Sequence, residues 1–157
     1  MQKFYSIALT AIITLSFYNR SLAQTNFSGT WVLNMEKSKL EDKSEGFTGS
    51  TFVIQQQGSQ LRLTRTHFYG SKKKKLSFKM KADGKTRRIK LLFNGKLEQT
   101  PAGLKATLWR KNFSNIVEYQ FGNSNNEFIA DEVMKSKYSN HHNIWVFDRE
   151  IVLKDGQ

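Results

Sequence analysis

The sequence predicts an all-β protein, an antiparallel up-and-down β-barrel of about 8–10 strands. Three observations predict it. Apolar and polar residues alternate with a period of two in segment after segment. Leu76, Phe78, Met80 and Ala82 against Ser77, Lys79 and Lys81 is the clearest case, and it marks a strand with one buried face. Turn-forming residues separate these segments at a spacing of roughly ten residues. After residue 23 no stretch carries a convincing apolar stripe at helical spacing.

Taken in order, Met1-Gln2-Lys3 is a short basic start, Ile7 to Phe17 is an apolar run, and Ser21-Leu22-Ala23 fits the small-x-small cleavage rule. Residues 1–23 read as a secretory signal peptide, too short and wrongly flanked for a membrane-spanning helix. Residues 24–157 read as one barrel domain. Phe27-Ser28-Gly29-Thr30-Trp31-Val32-Leu33 opens it with the first strand. Glu36 to Glu45 is charged and lacks a stripe to bury, which predicts a loop or a single helical turn. Thr51 to Gln56 is a β-rich run ended by Gly58-Ser59, and Leu61, Leu63 and Arg65 share one face of the next strand. Gly70-Ser71 and Lys72 to Lys75 read as a solvated loop. Asp83-Gly84 and Asn94-Gly95 are two-residue hairpin signals, because both supply the positive φ of the primed turns. Ile89, Leu91 and Phe93 lie on one face between them. Thr100-Pro101-Ala102-Gly103 is a further turn. Leu104, Ala106 and Leu108 alternate with Lys105, Thr107 and Trp109, and Val117, Tyr119 and Phe121 alternate with Ile116, Glu118 and Gln120. Gly122 to Asn126 is a loop, and Phe128 to Met134 and Ile144 to Phe147 are the last clear strands. Ile151-Val152-Leu153 extends the sheet or packs across its end. Consecutive hairpins favour antiparallel neighbours, and closure removes the edges of so long a sheet. A sandwich would need longer crossovers than the chain offers.

The 157 residues bound one domain. There is no cysteine, so the core alone holds the fold, and a disulfide, an iron–sulfur cluster, a cysteine-based zinc site and a lipidated cysteine are all excluded. The formal net charge of +12 favours anionic partners or an anionic surface. His67 and the adjacent His141 and His142 are the histidines. Neighbours on a strand point to opposite faces, so the pair is a poor chelator and no metal site is expected. Asp131-Glu132 meets the same objection as a catalytic pair. No phosphate-binding glycine loop and no nucleophile elbow occurs. The chain therefore reads as non-enzymatic and without a cofactor.

The opening phrase Phe27-Ser28-Gly29-Thr30-Trp31-Val32-Leu33, with its Gly-x-Trp, resembles the first strand of the calycin superfamily, which contains the lipocalins and the fatty-acid-binding proteins. Gln57 to Leu61 and Ala82 to Lys85 are similar to turns of the fatty-acid-binding barrels. The opening followed by Lys37-Ser38 is similar to exported bacterial lipocalin-like domains. The resemblance implies a barrel around a hydrophobic ligand and an exported protein, periplasmic or secreted. It also implies a structural barrel end built from Gly29, Trp31 and Arg149, with the guanidinium packed over the indole. Two features depart from the fatty-acid-binding pattern. Asn34 to Gly49 is too short and polar for a helical pair, and Trp145-Val146-Phe147 stands where the carboxylate-binding Arg-x-Tyr would be.

Candidate site residues follow from the faces. Arg65, Phe78, Met80, Leu91, Phe93, Leu108, Arg110 and Tyr119 are expected to line a ligand site. An arginine on an apolar inner face needs an anionic partner, because an unpaired buried charge is expensive. That partner is a ligand carboxylate or, failing that, Glu118 or Glu132; a rim position in water is the alternative. An apolar cavity and a filled core both fit the apolar faces, the latter implying a structural envelope protein. Lys72, Lys73, Lys74, Lys75, Lys79, Lys81, Arg88 and Lys90 form a basic face. If the strands pair as hairpins, Lys79 and Lys81 lie beside Arg88 and Lys90. Such a face suits nucleic acid, lipopolysaccharide, an acidic polysaccharide or a membrane surface, or simply keeps the sheet solvated. The leading expectation is a carrier of a small hydrophobic or amphipathic ligand, with polyanion binding as the alternative.

Overall fold

The computed structural model describes residues 25–41, 44–90 and 92–150. The proposed signal segment 1–23, Leu91, the Lys90 side chain and the tail from residue 151 lie outside the described residues. Eleven strands follow one another: β1 Gly29–Leu33, β2 Lys39–Leu40, β3 Phe47–Gln57, β4 Gln60–Tyr69, β5 Lys72–Lys81, β6 Arg87–Lys90, β7 Phe93–Thr100, β8 Gly103–Arg110, β9 Phe113–Phe121, β10 Glu127–Ser136 and β11 Asn140–Arg149. They form a single sheet in the order β5-β4-β3-β1-β11-β10-β9-β8-β7-β6, with the short β2 added to β11. Every neighbouring pair is antiparallel. The all-β antiparallel barrel expected from the alternation is the fold observed.

The sheet closes almost completely. Pairing of β1 with β11, Trp31 opposite Arg149 and Leu33 opposite Phe147, joins the two ends of the chain inside the sheet. The two outermost strands are instead consecutive in sequence. β5 and β6 do not pair with each other; β5 reaches across only through a bridge between Ala82 and Leu97. A seam therefore runs between them.

Asp83-Gly84, expected as a hairpin turn, makes the link across this seam. Gly84 takes a φ of +69° and donates its N–H to the Leu97 carbonyl at 2.9 Å. The Asp83 carboxylate receives both terminal nitrogens of Arg87, at 2.7 and 2.6 Å. This two-point clasp holds the Asp83 carboxyl below the usual carboxylate range, and it uses the residues that would otherwise start a paired strand. Lys79 and Lys81 consequently do not lie beside Arg88 and Lys90 on paired strands, which corrects that expectation.

Two further turn readings are corrected. Lys72 to Lys75 belong to β5 and pair with β4, from Tyr69 opposite Lys72 to Thr66 opposite Lys75. Asn94-Gly95 lies within β7. Gly95 is required there for space, since a Cβ would stand 2.8 Å from the Ile89 side chain packed against it. The charged stretch after Asn34 is a turn that hands the chain to β2. Asn34 Oδ1 accepts the Glu36 and Lys37 amides, and Ser38 Oγ accepts the Val146 amide at 2.9 Å.

Inward residues of one half of the barrel are nearly all large and apolar. Phe27, Trp31, Phe128, Phe147, Leu61 and Leu97 are the largest fully buried side chains. Phe128 is their centre, with ring centroids 5.4–5.7 Å from Phe27, Trp31, Phe52, Tyr119 and Phe147. The gap left among these side chains is a cavity of about 10 Å³, about one water and lined without polar groups, so it stays dry. Phe27 plugs this end. Its amide donates to Gln56 Oε1 at 3.0 Å, and its ring enters because position 103 is glycine. A Cβ there, at a φ of +156°, would collide with the Tyr119 carbonyl and the Phe27 ring.

Candidate functional site

The same strands change character along their length. On β4 the inward residues are Leu61 and Leu63, both buried, then Arg65, His67 and Tyr69. Arg65 stands opposite Phe52 and His67 opposite Ser50, so the polar layer begins directly above the aromatic one. On β5 the face that holds Met80 and Phe78 continues through Leu76, 43% exposed, to Lys74 and Lys72 at the rim. Period-two alternation sets which residues point inward, and position along the strand sets whether they meet apolar rings or water.

Polar and aromatic side chains gather in this second half. The Arg65 guanidinium lies 4.1 Å over the Trp145 ring and 5.9 Å from the centre of the Phe147 ring. Glu132 accepts the Trp145 indole N–H at 2.7 Å through one carboxylate oxygen and the Asn115 amide at 2.7 Å through the other. His67 lies among aromatic rings, 5.7 Å from Phe47, 6.4 Å from Tyr69 and 6.0 Å from Trp145 between centroids. Asn143, also buried, faces across from Glu132 and uses its Oδ1 to accept the Glu41 amide at 2.8 Å.

Electrostatics follow from this placement. Burial lowers the Arg65 pKa, with the Glu132 charge opposing the shift; the group remains a cation, because arginine loses its proton only at extreme pH. Burial, then the Arg65 charge, pushes His67 down to about 4, so its ring is neutral at pH 7. Burial pushes the Tyr119 phenol up. Arg65 and Glu132 feel each other but share no hydrogen bond. Among the described residues four buried side-chain atoms are left without a partner: Arg65 Nε, Arg65 Nη2, His67 Nδ1 and Asn115 Oδ1. A buried unpaired donor or acceptor costs about 1–3 kcal/mol, so the cluster is a local concentration of unused hydrogen-bonding capacity.

The eight expected lining residues separate into groups. Arg65 is in the polar cluster. Tyr119 is stacked on Phe128 with 8° between the rings and Met80 is buried, so both belong to the filled half. Phe78 and Leu108 are half-buried on the inner face between the two halves. Phe93 lies under Arg110, whose guanidinium is 4.9 Å from the ring and itself exposed; Phe113 meets Phe93 edge-on at 5.6 Å. Glu118, considered as a partner for these arginines, faces outward to Lys105 at 2.7 Å. His67, Asn115, Trp145 and Glu132's role as a double acceptor were missed. The signal was available for His67, which continues the Leu61, Leu63, Arg65 alternation. Nothing in the sequence joins Asn115 to Glu132.

Arg149 lies 4.2 Å over Trp31 and donates to the Ser28 carbonyl at 3.0 Å. Trp31 donates its indole N–H to the Phe27 carbonyl at 3.0 Å. Gly29 has a φ of +149°, and a Cβ there would stand 2.6 Å from Arg149 Nη1. Outside, Lys73, Lys75, Lys79 and Lys81 are exposed on one edge strand, with Arg62 paired to Lys79. Lys72 and Lys74 share the inner face's parity at the rim. Among the described residues no group of histidine, aspartate and glutamate is arranged to hold a metal, and no helix is long and apolar enough to cross a membrane.

No family model and no curated protein sequence matches the chain. Solved structures do. The REP1-NXSQ fatty acid transporter aligns with a TM-score of 0.54 at 12% identity, covering 80% of this chain and 96% of that one. The S-type phycobiliprotein lyase of Guillardia theta aligns at 0.56 and 10% identity, covering 80% and 89%. The zebrafish ileal bile-acid-binding protein, solved with cholic acid, aligns at 0.50 and 11% identity, covering 79% and 98%. At such identities it is the fold that is shared, and the chain has the calycin-like β-barrel fold.

Proposed function

We propose that this protein binds a small amphipathic molecule with an anionic head, without catalysing its conversion, and that it does so as an exported carrier. The observation that carries the reading is Arg65: a cation inside a barrel, with Nε–H and Nη2–H buried and unpartnered. A carboxylate would accept both bonds in the parallel arrangement that a guanidinium favours. The aromatic half is full, so an apolar tail would run from Arg65 past Phe78 and Leu108 toward the seam between β5 and β6, where Leu76 of β5 is exposed. Two of the structural likenesses are named for fatty acid transport and bile-acid binding, which supports the same ligand class. Export rests on the residues 1–23 pattern.

Native mass spectrometry of the protein from its own host tests the reading. A carboxylate-bearing molecule should co-purify and be released on denaturation. Arg65→Met should weaken binding of decanoic acid at least ~10-fold, the scale of a lost charge-assisted bond. A clean apo mass, together with no measurable binding of any alkyl or hydroxyalkyl acid, would sink it.

A second reading has its own observation. Lys73, Lys75, Lys79 and Lys81 form one exposed row on the β5 edge, with Arg62 of β4 opposite Lys79. Unpaired edges are ordinarily charged to prevent strand addition, and the row suits a polyanion as well. Heparin binding that falls steeply with salt would support the polyanion role.

A further inference from the structure

The four unpartnered atoms are not all of one kind, and the difference says something about the head group. Arg65 Nε and Nη2 are donors only. Asn115 Oδ1 is an acceptor only. The amide orientation is set by its neighbour: Asn115 must present its NH₂ to Glu132 Oε1, 2.7 Å away, because a carboxylate accepts and does not donate. That leaves the carbonyl oxygen buried with no donor to meet it. Arg65, the neutral His67 and the Asn143 amide also carry hydrogens, but none of them bonds it. Glu132 cannot help, being occupied on both oxygens by Asn115 and Trp145. His67 Nδ1, unprotonated or protonated according to tautomer, can meet either kind of partner.

A plain alkyl carboxylate satisfies only half of this arrangement. It accepts from Arg65 but carries no hydrogen to donate, so Asn115 Oδ1 would remain orphaned under it. We infer that the head group this barrel takes is bifunctional, an acid that also carries a hydroxyl or amide N–H, with the acid on Arg65 and the donor on Asn115 Oδ1. The inference rests on the amphipathic-ligand reading above and narrows its chemical class. Glu132 then has a positioning role: its two accepted bonds hold Asn115 and Trp145 in place around the head group. Discrimination of this sort is expected to be sharp, because a site built to pair a hydroxyl rejects the analogue that lacks it.

Isothermal titration of the full chain with decanoic acid and 3-hydroxydecanoic acid tests the inference, repeated on Asn115→Leu and Arg65→Met. The hydroxylated acid should bind ~10-fold or more tightly, the scale of one buried hydrogen bond to an otherwise orphaned acceptor. Asn115→Leu should erase that preference, bringing the two acids to equal affinity, and Arg65→Met should weaken both acids alike. Equal affinity of the wild type for the two acids, with Arg65 dependence intact, overturns this inference and leaves the carrier reading standing. Binding of neither acid overturns both. Because Asn115→Leu removes a bond to Glu132, circular dichroism confirms its fold. If it fails to fold, the wild-type ratio for 3-hydroxydecanoic acid over its 3-methoxy analogue, which accepts but does not donate, decides the matter: a ratio near one overturns the inference.

Discussion

The two halves of this barrel are built from the same strands and teach opposite lessons. In one, Phe27, Trp31, Phe52, Phe128 and Phe147 fill the interior down to a gap of about 10 Å³. In the other, a few residues further along, Arg65, His67, Asn115 and Glu132 meet in a layer that leaves four polar atoms unpaired. Each phenyl ring in the first half gains from every neighbour it touches. In the second, Arg65 has two donors withdrawn from water with no partner from the protein. The first half satisfies the rules of folding and the second departs from them, and proteins commonly depart from those rules at functional sites.

The comparison can be broken or sharpened by substitution. The largest effect is expected at the centre of the filled half. Phe128→Ala removes a ring that touches five others, and should cost about 3–5 kcal/mol in urea denaturation. A loss under about 1 kcal/mol would mean that this half is less tightly packed than its rings imply. The next effect has the opposite sign. Arg65→Met with Glu132→Gln removes both charges of the polar layer, keeps an acceptor for Trp145 and lets the Asn115 amide turn to meet the new side chain. The protein should become about 1–2 kcal/mol more stable, as replacement of buried ionic groups often does. Destabilisation would show that the polar layer helps specify the fold. The single Arg65→Met is not the same test, because it leaves Glu132 without the cation it feels.

The smallest effect is a pH dependence. His67 titrates at about 4 in the folded chain against 6.5 unfolded. Between these values the unfolded chain binds more protons, so stability is full above about pH 6.5 and falls as the pH drops toward 4. The ring is only partly withdrawn from water, which limits the loss to the order of 1 kcal/mol. His67→Gln should flatten that part of the stability–pH curve, and an unchanged slope would assign it to other groups.

Much of the fold was legible in the chain because alternation is a local signal. Leu76, Phe78 and Met80 announce both a strand and its inner face without reference to anything else. The turns were less legible. Asp83-Gly84 has the residues of a tight hairpin, but Arg87 clasps Asp83 and Leu97 takes the Gly84 amide, and both partners depend on the closing of the barrel. Asn94-Gly95 has the same composition and sits inside a strand, where Gly95 makes room for Ile89. Lys72 to Lys75 read as loop because four like charges suggest solvent. Solvent is where an edge strand's side chains also lie.

The candidate site divides in the same way. Arg65 could be picked out from its own strand, since an arginine in phase with Leu61 and Leu63 must answer for its charge. Gly29, Trp31 and Arg149 could be named from the opening phrase and the last strand. What the chain of letters settled was the class of fold, the inward face of each strand and the presence of one awkward cation among apolar residues, all of them consequences of short-range periodicity. Only the tertiary structure decided that Trp145, Glu132 and His67 lie near that cation, that Asn115 bonds Glu132, that aromatic rings fill the other half, and that the sheet opens between β5 and β6. Those depend on register between strands far apart in sequence and on how side-chain volumes add up across the barrel, quantities that no local pattern carries.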